Sequence, residues 1–254
     1  MPPKRGRRKA KEFVPCRVGP NSISEIEAAI ASVKFSSRKD IHGNPLKEYT
    51  DPDFKGAPAI GKVFDNDDEL PWYRTTELEM DGVPSLFVDG VVVDDCEQGV
   101  LGDGGLIKAI MLCSTKAGGD IIPNLFVNEW CRPEFGLYVL RFFKEDRWVM
   151  VVIDDYVPCR IGTKQPIFAH SKDSSEIWPI LVEKAYAKLH GGYGKIQTMG
   201  VAYCLRDLTM GRTYAMDLES VKTRTDFKNI TTPREKGGRI IAMVFREDSP
   251  TTNR

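Results

Sequence analysis

Three stretches of the sequence predict an α+β fold. Residues 106–112 are apolar on every side except at Lys108, the pattern of a buried helix. Residues 137–143 and 148–153 are apolar runs on either side of the polar 144–147 segment, which reads as an antiparallel hairpin. Across residues 178–189, Trp178, Leu181, Val182, Ala185, Tyr186 and Leu189 fall at helical spacing and form one apolar stripe.

The remaining elements follow in order. Lys4, Arg5, Arg7, Arg8, Lys9 and Lys11 all precede the first acid, Glu12. Residues 1–20 therefore read as a basic disordered tail. It is either a solvated terminus or a hook for an acidic surface such as tubulin or a polynucleotide. Ile23, Ile26, Ala29, Ile30 and Val33 predict a short helix, which with a linker fills residues 21–48. Residues 40–60, rich in Gly, Pro, Asp and Lys, predict an irregular surface segment. Residues 85–88 form a short apolar piece broken by Asp89-Gly90. The buried helix begins oddly, because Gly104 and Gly105 adjoin its first turn and glycine costs roughly 1 kcal/mol at an interior helical position. That predicts either a late helix start or close approach of another backbone. Asp173 with Glu176 suggests a capping box for the helix that follows, and Gly191-Gly192 its end.

Composition removes several classes. Lys plus Arg and Asp plus Glu each number 36, so no global field draws the chain to nucleic acid or to an anionic membrane. The six cysteines contain no Cys-x-x-Cys pair and the chain has only three histidines, which predicts reduced thiols in an intracellular protein and argues against zinc. No segment reads as a secretion signal or as an apolar membrane span.

Several ordered motifs resemble the calpain family of cysteine proteases. Tyr49-Thr50-Asp51-Pro52-Asp53-Phe54 is similar to a signature near the start of the calpain core, and Trp72-Tyr73-Arg74 to its Trp-x-Arg-Pro, with Thr75 in place of proline. Asp154-Asp155-Tyr156-Val157-Pro158 resembles the exit of its hairpin, residues 178–189 its Trp-x-x-Leu-x-Glu-Lys-Ala-Tyr-Ala-Lys block, and Asp207-Leu208-Thr209-Met210-Gly211 the entry to its second half. The resemblance, which runs from residue 49 to about 245, implies a papain-like first subdomain over 49–207 and an incomplete second one over 208–254.

The same resemblance defines a degenerate site. Gln98 matches the oxyanion-hole glutamine, Asp103 is retained, and Gly104 and Gly105 stand where the family has its nucleophilic cysteine and the following tryptophan. A cysteine protease needs a thiolate and a histidine base. Cys113 lies nine residues on, about 13 Å along a helix, and Cys96 reads as a small buried residue. His170 and His190 match non-catalytic positions and read as surface or capping residues. Residues 237–244 resemble the strand that precedes the catalytic histidine and asparagine, and Arg254 is reached before either. The family also implies calcium held by the carbonyls of Val88 and Gly90 and the carboxylates of Asp95 and Glu183; the alternative is that these acids are ordinary solvated charges. The leading expectation is thus a non-catalytic interaction or scaffold protein, with a cytoskeletal, ciliary or axonemal setting suggested by family analogy. A calcium-dependent peptide-binding regulator of active relatives is the alternative, and a part of an active protease the weaker one.

Overall fold

A computed structural model describes residues 20–39, 42–64, 69–115, 120–213 and 222–231. All but the last residue of the basic tail, and the whole 237–244 segment, lie outside the described residues. The elements run α1 (Ile23–Ala31), β1 (Lys34–Lys39), β2 (Pro45–Glu48), α2 (Gly56–Ile60), β3 (Trp72–Arg74), α3 (Gly104–Cys113), β4 (Leu137–Lys144), β5 (Arg147–Asp154), β6 (Tyr156–Pro158), α4 (Trp178–His190), α5 (Tyr193–Ile196), α6 (Val201–Thr209) and α7 (Arg224–Thr231). Helices packed beside small antiparallel sheets make this the expected α+β fold. The sheets pair β1 with β2, β3 with β6, and β4 with β5.

The β4–β5 hairpin forms where the apolar runs predict it, in unbroken register from Leu137 opposite Asp154 to Lys144 opposite Arg147. Its two turn residues, Glu145 and Asp146, have φ of 49° and 59°. Two consecutive positive φ values make a turn whose twist matches that of the strands. The N-terminal helix also forms, started by a capping box between Ser22 and Glu25, with Ile26 buried. Residues 40–60 depart from the expected irregular segment, for Pro45–Glu48 pairs with Lys34–Lys39 and α2 follows. That hairpin carries no apolar alternation to reveal it; polar links such as Arg38 to Glu48 at 2.7 Å hold it.

Helix α3 is buried as predicted, with Leu106, Ile107, Ala109, Ile110 and Cys113 in the core. The Asp173–Glu176 capping box does not form: the N-cap of α4 is Ile177, without a side-chain cap, and Glu176 is used elsewhere. Gly191 ends α4 at φ 92°.

Helix α4 buries far more than its apolar stripe, since every residue from Trp178 to Leu189 is buried. Lysines tolerate this only when each ammonium finds acceptors. The Lys184 ammonium meets the Asp154 carboxylate and the carbonyls of Asp154 and Tyr156 at 3.0 and 2.6 Å. Lys188 meets Asp51 at 2.6 Å and the Val152 carbonyl at 2.8 Å. Beside them the Arg74 guanidinium pairs with Asp155 and donates to the Tyr49 carbonyl. The charged letters of the 49–54, 72–74, 154–158 and 178–189 motifs are therefore one buried network that fastens α4 to the hairpin and to β3.

Candidate active site

Gly104 is the first residue of α3. An added Cβ there would lie 3.2 Å from Oε1 and 3.6 Å from Nε2 of Gln98. The Gln98 amide donates to the Leu101 carbonyl at 2.6 Å. Gln98 is placed by the packing of its neighbours on the 167–170 segment, through Val100 N–H to Ile167 O at 3.1 Å and Glu97 N–H to His170 O at 2.8 Å. Gly105 is tighter still, because a Cβ would run into the Met199 carbonyl oxygen, well inside van der Waals contact. The helix does not start late; another backbone comes close, the second of the two expectations. The approaching segment is pinned by Thr198 N–H to Gly102 O at 3.0 Å, with Thr198 itself at φ 61°. Gly105 is thus packed against the Met199 backbone, whereas Gly104 is half-buried and faces only the exposed Gln98 side chain.

Beneath this point lie two buried acids. Asp103 is fully buried, and neither of its carboxylate oxygens has a donor unless a neighbouring acid carries a proton. That neighbour is Glu183, which accepts the Ala169 N–H at 3.1 and 3.2 Å. Burial first, and the Asp103 charge second, hold Glu183 well above the carboxylate range, while burial pushes Asp103 up to about 6. Glu183 therefore keeps a proton and donates it toward Asp103. Cys96, adjoining this pair, is buried, and desolvation holds its thiol far above the ordinary range. A thiol kept protonated is a poor nucleophile. Cys113 is pushed up to about 12 by burial alone.

The expected calcium ligands come from two segments of the chain. Val88, Gly90 and Asp95 share one loop, in which Asp89 and Gly90 have φ of 52° and 97°. Asp95 Oδ2 accepts the Val92 N–H at 2.7 Å. The acid that reaches this loop from the α4 side is Glu176, not Glu183. Glu176 accepts the Val88 N–H at 3.0 Å and the Ser171 hydroxyl at 2.9 Å. Burial, and then the Asp95 charge among smaller causes, raise its affinity for a proton. Glu183 instead points to Asp103. Among the described residues no three or more His, Cys, Asp or Glu side chains gather at one metal position. The Val88 and Gly90 carbonyls and the Asp95 carboxylate on this loop are hard oxygens of the kind that suits calcium.

Both histidines in the second half of the described chain make local contacts. His170 lies with Nε2 3.4 Å from Glu97 and Nδ1 3.0 Å from the Phe168 carbonyl. His190, expected at the surface or in a cap, does contact a carbonyl of the last turn of α4, but its side chain is only 11% exposed and its other nitrogen meets Lys144 at 3.1 Å. Sequence reasoning missed Glu176 because Asp173 three residues earlier made it look like a capping acid. It missed the Thr198–Met199 contact because nothing in those residues signals what they cover.

A buried helix whose N-terminus faces an oxyanion-type glutamine, packed against a hairpin, defines a papain-like cysteine-protease core. The chain belongs to the calpain family: the family described as calpain family cysteine protease matches residues 49–253. It is 32% identical to the calpain-type cysteine protease DEK1 of Arabidopsis thaliana over 87% of this chain and 10% of that protein. It is 33% identical to a calpain of Schistosoma mansoni, over 70% of this chain and 24% of the relative. Against calpain-5 of Caenorhabditis elegans the identity is 32%, over 69% of this chain and 28% of the relative. The chain thus spans about a tenth to under a third of the length of these three relatives.

Proposed function

We propose that this chain is a non-catalytic calpain-family module that acts through protein interaction. The observation that carries the reading is the head of α3, where Gly104 takes the nucleophile's place and the Met199 backbone packs against Gly105. Glycine offers no atom to attack a carbonyl. One of the two Gln98 amide protons is taken by the Leu101 carbonyl at 2.6 Å, which leaves one for an oxyanion or a bound peptide carbonyl. The buried network around α4 supports the same reading, since it preserves the family scaffold independently of the lost chemistry. The basic tail supplies a charge that suits an acidic filament surface, so a cytoskeletal or axonemal partner is the setting we favour.

A second reading rests on the 88–95 loop. Calcium bound by Asp95 and the loop carbonyls would make the module a calcium-dependent peptide binder that protects peptides from active relatives. Crosslinking of the native protein followed by mass spectrometry, with and without calcium, separates the two. A scaffold gives the same stable partners in both conditions. Peptide capture that requires calcium supports the regulator and counts against the scaffold.

A further inference from the structure

We infer that His190 is a proton-operated latch, holding α6 and the segment that precedes it against β4 and α4. Lys144, the last residue of β4, directs its ammonium at Tyr203 Oη, Asp207 Oδ2 and His190 Nε2, at 2.6, 2.8 and 3.1 Å. A lysine ammonium has three protons and no lone pair, so these acceptors use it completely and His190 Nε2 must present a lone pair. The other ring nitrogen, Nδ1, lies 2.9 Å from the Tyr186 carbonyl oxygen, which can only accept. The two contacts together fix the neutral imidazole with its proton on Nδ1.

A second proton would have to go on Nε2, facing the Lys144 ammonium at 3.1 Å and removing one of its three acceptors. The groups around the ring come from three elements. β4 contributes Lys144; α6 contributes Tyr203, with its ring centroid 6.3 Å away, and Asp207; α4 contributes Tyr186, at 4.3 Å between centroids. Asp207 Oδ2 lies 3.7 Å from Nε2 and favours protonation, as do the open carbonyls at the end of α4. That same oxygen already accepts from Lys144 and, at 2.7 Å, from the Tyr186 hydroxyl. Burial, with the Lys144 charge adding to it, outweighs these contributions and lowers His190's affinity for a proton below that of a free imidazole.

The sign of the coupling follows. When α6 lifts away, the imidazole returns to water and to the ordinary titration range near about 6.5. Below that pH the lifted state binds more protons than the closed one, so closure weakens as pH falls and is complete above it. The loosening reaches the head of α3 directly. α6 begins at Val201, immediately after the Thr198–Gly200 segment whose Met199 carbonyl lies over Gly105. This coupling rests on that contact at the head of α3, but the latch is measured on α6 itself.

The test is a proton NMR titration of the whole chain, with His190 assigned by His190→Gln. The His190 midpoint should fall below the free-imidazole value of about 6.5, and Lys144→Gln should move it upward. Amide protection across 198–209, corrected for intrinsic exchange, should drop between about pH 7 and pH 5 in the native chain and stay level in His190→Gln. A His190 midpoint at or above the free value, an unmoved midpoint in Lys144→Gln, or equal protection at both pH values overturns the latch. Should His190→Gln fail to fold, the Lys144→Gln shift decides, with assignment from through-space contacts between His190 and Tyr186. None of these readouts involves peptide or partner binding, so failure of the proposed function would leave them unchanged.

Discussion

At the scale of single residues, two adjacent glycines have different reasons to be glycine. Gly104 faces the movable end of Gln98 at 3.2 Å, whereas Gly105 faces backbone. Gly104→Ala should leave thermal stability within about 0.5 kcal/mol of the parent, because the gain in helix propensity offsets a small displacement of the amide. Gly105→Ala should cost about 1–3 kcal/mol, since the Met199 backbone must move to admit the methyl group. Chemical denaturation of both variants checks the pair, and equal losses would show that the 197–200 segment is not seated on α3. Titration calorimetry should find calcium binding, where the native chain binds it, abolished by Asp95→Ala but retained by Glu183→Gln. In that last variant the new side-chain amide would still accept the Ala169 N–H while offering Asp103 a donor. Loss of binding in Glu183→Gln alone would return that residue to the ion.

The elements differ in how clearly the sequence announces them. The hairpin and α3 are legible because burial on both sides of a strand or all round a helix leaves long apolar runs. β1 and β2 are not, because Lys34–Lys39 and Pro45–Glu48 are joined through charges on a surface hairpin and have no apolar face to give away. α4 is legible as a helix, yet its apolar stripe understates it. Lys184 and Lys188 look like a solvated face until Asp154 and Asp51, distant in sequence, are brought beside them. Removing one partner from such a pair leaves a buried charge uncompensated. Lys184→Met should therefore destabilise the fold by roughly 3–5 kcal/mol, and Lys184→Met with Asp154→Asn by clearly less. Equilibrium unfolding of the single and double variants measures this, and additive losses would deny the coupling. The β4–β5 turn offers the opposite change: replacing Glu145-Asp146 with Asn-Gly should stabilise the hairpin by roughly 1 kcal/mol, because both positions hold positive φ.

For the whole molecule, the family and its core were readable from motifs because each motif carries a charge or aromatic that the core network needs. The packing against the head of α3 was only half readable. Two glycines before an apolar helix signal that something comes near, but not that it is Met199, nor that Gln98 turns to Leu101. The 88–95 loop shows the same limit, since nothing in its sequence discloses that Glu176 accepts the Val88 N–H. What the structure adds is a calpain core in which the Met199 backbone packs against Gly105 at the head of α3. The direct measurement is hydrolysis of an unfolded protein substrate by the native chain and by Gly104→Cys, each with and without calcium and with a thiol-directed inhibitor as control. No turnover above background in any condition is the predicted result, because glycine stands at the nucleophile's position and, when a thiol is restored there, His170 and His190 lie at positions that match non-catalytic ones. Inhibitor-sensitive cleavage by either purified protein would contradict the account.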